Sequence, residues 1–204
     1  MPAGRERRDM SRGSTSQQEN AVHISIIDHP VYFTTGTRVL VLRGRHKDGI
    51  ENQRSVLRVS HSSAQFGSEL FKLAAIAGPD ERIYASAGER SMPAAIREFK
   101  RRQLDADYDP DPQAFYRSID ARWTSCLMHP ASQAEKLWLV DCDSAEDTEM
   151  AAEDLMLHYK RPMPPYRYAT KSGTHFIVQA FDRTALREAV RELIHENPLM
   201  LWGY

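Results

Sequence analysis

The sequence predicts an α+β fold. A mixed, β-rich α/β part over residues 21–130 is expected to pack with a C-terminal module over residues 131–204, built in the order β-α-β-β-α-β. Two observations carry this expectation. Residues 21–86 hold short runs of β-branched and aliphatic side chains separated by turn residues. Residues 136–203 alternate strand and helix signals, with polar caps and a tight Gly-containing loop between them.

Taken in order, residues 1–20 are polar and without apolar periodicity, as in a disordered tail. Strands are expected at 22–27, closed by Asp28-His29-Pro30, at 38–43, followed by a turn from Gly44 to Gly49, and at 55–60. A short helix over 68–76 ends at Gly78-Pro79, and a strand follows at 82–86. Ser91 caps a helix to about Gln103. Asp111-Pro112 opens another, reaching about Met128, with Pro112 in the first turn where its missing N–H is harmless.

The last third begins with a strand at 136–142 and a helix at 145–158, capped by Asp143 or Ser144 with acidic residues in its first turn. A Pro-rich turn (161–165) leads to a strand at 166–170, the hairpin loop Lys171-Ser172-Gly173-Thr174, and a strand at 175–180. Asp182 is expected to cap a helix to about His195, which Asn197-Pro198 ends. Residues 199–203 form the final strand. This is the split βαβ, or ferredoxin-like, order.

Composition narrows the chemistry. With 204 residues and 41% hydrophobic content the chain can build a real core. A net charge of -1 gives no global basic field, so a nucleic-acid partner needs a local basic surface. Cys126 and Cys142 lack metal-ligand spacing, which argues against a zinc ribbon or disulfide scaffold and fits a reducing compartment. No apolar stretch approaches the roughly 20 residues that span a bilayer. Arg5, Arg7 and Arg8 have no apolar segment behind them, so no secretory signal is read. A cytoplasmic protein with no membrane partner is the expectation.

The most informative motif is Lys-Leu-Trp-Leu-Val-Asp-Cys-Asp-Ser at 136–144. Side chains alternate along a strand, so Asp141 and Asp143 share a face, with Cα atoms roughly 6–7 Å apart. Paired carboxylates are the hard oxygen ligands of Mg²⁺ and Mn²⁺, and such sites also take substrate phosphates. Trp138, Val140 and Cys142 then face the helices, with Phe176, Val178 and Ala180. Asp141 and Asp143 belong on the open side with His175, Ile177 and Gln179, because two unpaired charges under helices cost too much. Since the first and third strands are neighbours in this order, His175 approaches the aspartates.

Hydrophobic-Asp-x-Asp on the first strand, then Lys171-Ser172-Gly173-Thr174-His175 opening the third, resembles the archaeo-eukaryotic primase (primase-polymerase) superfamily, including small phage-encoded or degenerate members. The resemblance covers about residues 136–204. It implies an RRM-like module, a metal site at Asp141 and Asp143, and nucleotide phosphates held by Ser172 and His175. Lys171, the backbone around Gly173 and, depending on register, Arg167 are the further nucleotide-binding candidates. The implied activity is metal-dependent nucleotidyl transfer from nucleoside triphosphates to a DNA or RNA strand, with Mg²⁺ or Mn²⁺ as cofactor. The family's third motif is an acid on the last strand. Here Leu199–Tyr204 has none, and the sequence places neither Glu146 nor Asp182 in its stead.

Two other classes compete. One is a degenerate module that binds nucleic acid, nucleotide or a protein partner without turnover. The other is a metal-dependent phosphoesterase or nuclease using water. Asp143 also reads as a helix cap, with Glu146 completing a capping box. Arg97, Lys100, Arg101 and Arg102 on one helix read as a solvated face or a nucleic-acid patch. Tyr166, Tyr168 and Phe176 lack the aromatic pattern of a base-stacking sheet. His129, His158 and His195 show no ligand spacing.

Overall fold

The computed structural model describes residues 25–44, 55–108 and 110–203. The expected tail, half of the expected 22–27 strand and most of the 44–49 turn lie outside those residues. The described elements, in order, are β1 (Arg38–Gly44), β2 (Ser55–Ser60), α1 (Ser63–Ile76), β3 (Glu81–Ser86), α2 (Met92–Asp107), α3 (Pro112–Arg117) and α4 (Ile119–Met128). Then come β4 (Leu137–Cys142), α5 (Ala145–His158), β5 (Tyr166–Ala169), β6 (Thr174–Gln179), α6 (Glu188–Glu192), β7 (Ile194–Glu196) and β8 (Leu199–Gly203). They form two four-stranded antiparallel sheets, ordered β2-β1-β3-β8 and β5-β6-β4-β7, with interspersed helices. This is a mixed α+β architecture.

In the second sheet the expected alternation holds. Val140, Cys142, Phe176 and Val178 pack with Ala151 and Leu155 of α5 and Val190 of α6 in one core. The opposite face differs from expectation, because it is not open. Leu137, Leu139 and Ile177 are buried in a second core with Leu40, Leu42, Ile83, Met200 and Leu201 from the other sheet. An apolar face of this size cannot stay in water, since each such side chain gains about 1.5–3 kcal/mol on burial. The two sheets close on each other instead.

The final strand is the largest departure. β8 was expected in the C-terminal module, yet it pairs with β3 of the first sheet. The fourth position beside β4 is taken by β7, three residues that the sequence pattern assigned to a helix end. Between β7 and β8 the chain crosses from one sheet to the other through Asn197 and Pro198. Asn197 takes φ 56°, a left-handed conformation that asparagine tolerates better than most residues. Its side chain anchors the crossing. Nδ2 donates to the Met128 carbonyl, and Oδ1 accepts from Gln133 (2.8 Å) and buried Arg90. A boundary near residue 130 therefore does not separate the two sheets.

Two helices also differ. The expected 111–128 helix breaks at Ser118, whose hydroxyl bonds back to the Ala114 carbonyl (3.0 Å) while its φ moves to -118°. The expected 182–195 helix shrinks to α6. Asp182 does not cap it but accepts from the Thr184 N–H (3.0 Å) and hydroxyl (2.7 Å) in a local turn. Buried Asp154 then sets the helix start by accepting from the Arg187 N–H (2.8 Å) and Nε (2.7 Å).

At α5 the cap is settled. Ser144 Oγ accepts from the Asp147 N–H at 3.0 Å, so Asp143 is not spent on capping. The β5–β6 hairpin lies against the end of β4. A Cβ on Gly173 would sit 2.0 Å from the Cys142 carbonyl oxygen, so only glycine permits this approach.

His29 pins the segment before β1 between the sheets. Its Nε2 lies 2.7 Å from the Leu201 carbonyl and its Nδ1 3.0 Å from the Tyr166 hydroxyl. The carbonyl can only accept, so Nε2 carries the hydrogen and Nδ1 accepts from the tyrosine. The ring also meets Tyr168 and Trp202, with centroids at 4.7 and 4.4 Å. Burial holds its pKa below the ordinary 6.5, with the Leu201 carbonyl and Asp28 opposing.

Two outcomes are expected. Ser144→Ala lowers stability by about 1 kcal/mol in urea unfolding, whereas Asp143→Ala changes it by less than about 0.5 kcal/mol. For His29, the folded pKa is depressed, so the unfolded chain binds the proton more readily. Stability is then full above about pH 6.5 and declines on acidification below it. Comparing urea midpoints at about pH 7.5 and 5.5, His29→Gln should flatten that decline; an unchanged slope assigns it to another group.

Candidate functional site

Where the two sheets part at the C-terminal end of β4, they leave a cleft of about 450 Å³. Its polar end is lined by Asp141, Asp143, Lys171, Ser172, His175 and His195. Leu139 shares that face of β4 with Asp141, and the other wall carries Tyr84, Pro198, Leu199 and Leu201, with Arg82 beside them. Asp141 ends the cleft face of β4, and Asp143 follows it on the same side, exposed. The hairpin loop, pressed onto β4 at Gly173, brings Lys171 and Ser172 to the same mouth. The Gly173 N–H itself is used, donating to Thr170 Oγ1 at 3.1 Å.

Asp141 and His175 are direct cross-strand partners in the β4–β6 register. Their side chains meet, with His175 Nε2 2.7 Å from Asp141 Oδ1. On its other side, His175 Nδ1 lies 2.8 Å from the Tyr168 hydroxyl. The hydrogen bond from His175 holds the Asp141 carboxyl below the ordinary carboxylate range against the opposing effect of burial, and the nearby imidazoles of His175 and His195 act in the same direction. Both His175 nitrogens are therefore engaged, one by a carboxylate and one by a phenol. In this arrangement the ring supports Asp141 and has no N–H left to offer a phosphate.

Arg167 does not join the site. It pairs with Phe176 in the β5–β6 register and so lies on the helix face, its guanidinium 5.7 Å from the Phe176 ring centroid. Tyr168, the next residue, takes the cleft face opposite His175. The two acids considered as substitutes for the missing third carboxylate stay away as well. Glu146 is exposed in the first turn of α5, and Asp182 is held in its turn with Thr184. Glu196 on β7 reaches the rim, but its carboxylate pairs with Arg183 (3.3 Å), which lies over Trp138 on the helix side.

His195 is the residue that sequence reasoning missed. It sits opposite Leu139 on β7, on the cleft face and one position from Asp141 along that face. Its signal was hidden because residues 182–195 carry a helical pattern. Alternation reveals it only once 194–196 is known to be a strand.

Among the described residues, no group of three or more His, Cys, Asp or Glu side chains is gathered to hold a metal alone. Asp141 and Asp143 at the open mouth are hard oxygen donors, the chemical type that Mg²⁺ and Mn²⁺ take up together with phosphate oxygens and water. They do not suit Zn²⁺, which prefers a closed nitrogen and sulfur cage. The charged residues of α2 are largely paired among themselves, Arg101 with Glu98 (2.9 Å) and Asp105 (2.8 Å), and Arg102 with Glu98 (2.7 Å), as on a solvated helix face. Among the described residues, no helix is long and apolar enough to cross a membrane. No protein-family model matches the chain, and no match was found among curated proteins or solved structures.

Proposed function

We propose that the cleft binds a nucleoside triphosphate with Mg²⁺ or Mn²⁺, and that the protein is a primase-polymerase-like nucleotidyltransferase. The observation that supports this reading is the convergence of Asp141, Asp143, Lys171 and Ser172 on one mouth between two sheets. Acids for a cation stand beside a lysine and a hydroxyl for phosphate, and the cleft continues into an apolar wall suited to a base. Its volume lies in the range of small-molecule sites, which is roughly 300–1,000 Å³. The strand order β5-β6-β4-β7 with α5 and α6 on one face follows the split βαβ arrangement, and this supports an RRM-like module.

Asp141 and Asp143 are the residues that hold the cation, which supplies charge neutralisation for the triphosphate and a lowered pKa for an attacking hydroxyl. Lys171 and Ser172 orient the β- and γ-phosphates by charge and hydrogen bonding. Tyr84 and Leu199 bound the nucleoside and exclude water from one side. The 3′-hydroxyl oxygen of a nucleic-acid strand forms the new bond to the α-phosphorus, the α–β anhydride bond breaks, pyrophosphate leaves, and the hydroxyl proton passes to water. Positioning and electrostatics dominate such transfers.

A second reading has its own support. With Glu196 paired to Arg183 and no acid on β8, the site has fewer carboxylates than a two-ion centre uses. In that reading the cleft binds nucleotide without making a bond.

Calorimetric titration with Mn²⁺ and a non-hydrolysable triphosphate, followed by a primer-extension assay, separates the readings. Nucleotidyl transfer requires both binding and labelled product. Asp141→Asn or Asp143→Asn should each weaken Mn²⁺-nucleotide binding by more than about tenfold, the loss that even outer-sphere partners of a metal produce. Binding without product supports the second reading. Binding unchanged in both variants overturns the site.

A further inference from the structure

We propose that Tyr168 is a positioning residue that acts on Asp141 through His175, a role that rests on the cleft reading above. Tyr168 is 6% exposed and lies in the core joining the two sheets. Burial keeps its phenol protonated well above the ordinary tyrosine range. A phenol in this setting has one hydrogen to give, and its neighbour is His175 Nδ1 at 2.8 Å.

The hydrogens can be assigned along the chain of contacts. A carboxylate accepts and does not donate, so the 2.7 Å contact places the hydrogen on His175 Nε2. In the neutral ring, Nδ1 is then a lone-pair acceptor, which is what the Tyr168 O–H requires. Asp141 and Tyr168 thereby select the same histidine tautomer, from opposite sides of the ring. The selected tautomer aims its only N–H at Oδ1 of Asp141. The other tautomer would place two lone pairs, His175 Nε2 and Asp141 Oδ1, against each other, and the carboxylate would turn away.

This is the outer partner arrangement that fixes a carboxylate for a cation, built here on three adjacent strand positions: Tyr168 on β5, His175 on β6 and Asp141 on β4. Register makes it possible. Tyr168 pairs with His175, and His175 pairs with Asp141, so the three side chains form a row across one face of the sheet.

The test is ¹⁵N NMR of the imidazole nitrogens in the full chain, joined to Mn²⁺ titration. In the wild type, His175 should show a protonated Nε2 and a bare Nδ1. A protonated Nδ1 overturns the proposal without any variant, which covers the case in which a substitution fails to fold. In Tyr168→Phe, the expected results are a mixture of His175 tautomers and Mn²⁺ binding weakened by about tenfold. Tyr166→Phe, whose hydroxyl meets His29 instead, should leave the His175 tautomer unchanged. A His175 signal identical in Tyr168→Phe and wild type overturns the proposal. If wild-type protein shows the expected tautomer and its loss in Tyr168→Phe but binds no Mn²⁺, the row of residues stands and the cation reading of the cleft falls.

Discussion

The closing of one sheet upon the other is the constraint on which the rest of the structure depends. Leu137, Leu139 and Ile177 present an apolar face that helices cover on only one side of their sheet, and Met200 and Leu201 of β8 complete the burial. Once those faces meet, a space remains between them at the end of β4, where the side chains turn from leucine to aspartate. The cleft follows from that change of residue type. Two carboxylates resist burial, so the sheets part where the aspartates begin.

The same closure explains the polar contacts around the seam. Tyr166, Tyr168 and His29 are aromatic bodies with polar tips, and their bodies fill the core while their tips find partners. His29 meets the Leu201 carbonyl, and Tyr168 meets His175. The strand that finishes the first sheet is thereby bonded through side chains to the sheet that bears the aspartates. The two sheets are joined there by packed, hydrogen-bonded side chains.

Much of this was legible in the sequence, and the gaps have physical causes. Period-two alternation placed Asp141 and His175 on one face and Val140 and Phe176 on the other, because a strand with one helix-covered side leaves that pattern in its residues. Helix α5 was readable from Ser144 and its acidic first turn. The destination of β8 was not, since Leu-Met-Leu-Trp fits either sheet and pairing partners leave no periodic trace. His195 was hidden for a related reason: three strand residues following a helical pattern are too few to announce themselves. Arg167 shows how sharply register decides. One residue separates it from Tyr168, and that step moves it from the cleft to the helix face.

The crossing at Asn197-Pro198 also bears on how the chain is made. Three strands of the first sheet emerge early in synthesis, but β8, which completes that sheet, emerges after the whole of the second one. The first sheet must wait with the apolar face of β3 and β1 incomplete while β4 to β7 form. Folding therefore cannot proceed as two finished units in succession, the usual order for multidomain chains. The aspartate cleft, having a wall from each sheet, comes into existence only when β8 docks.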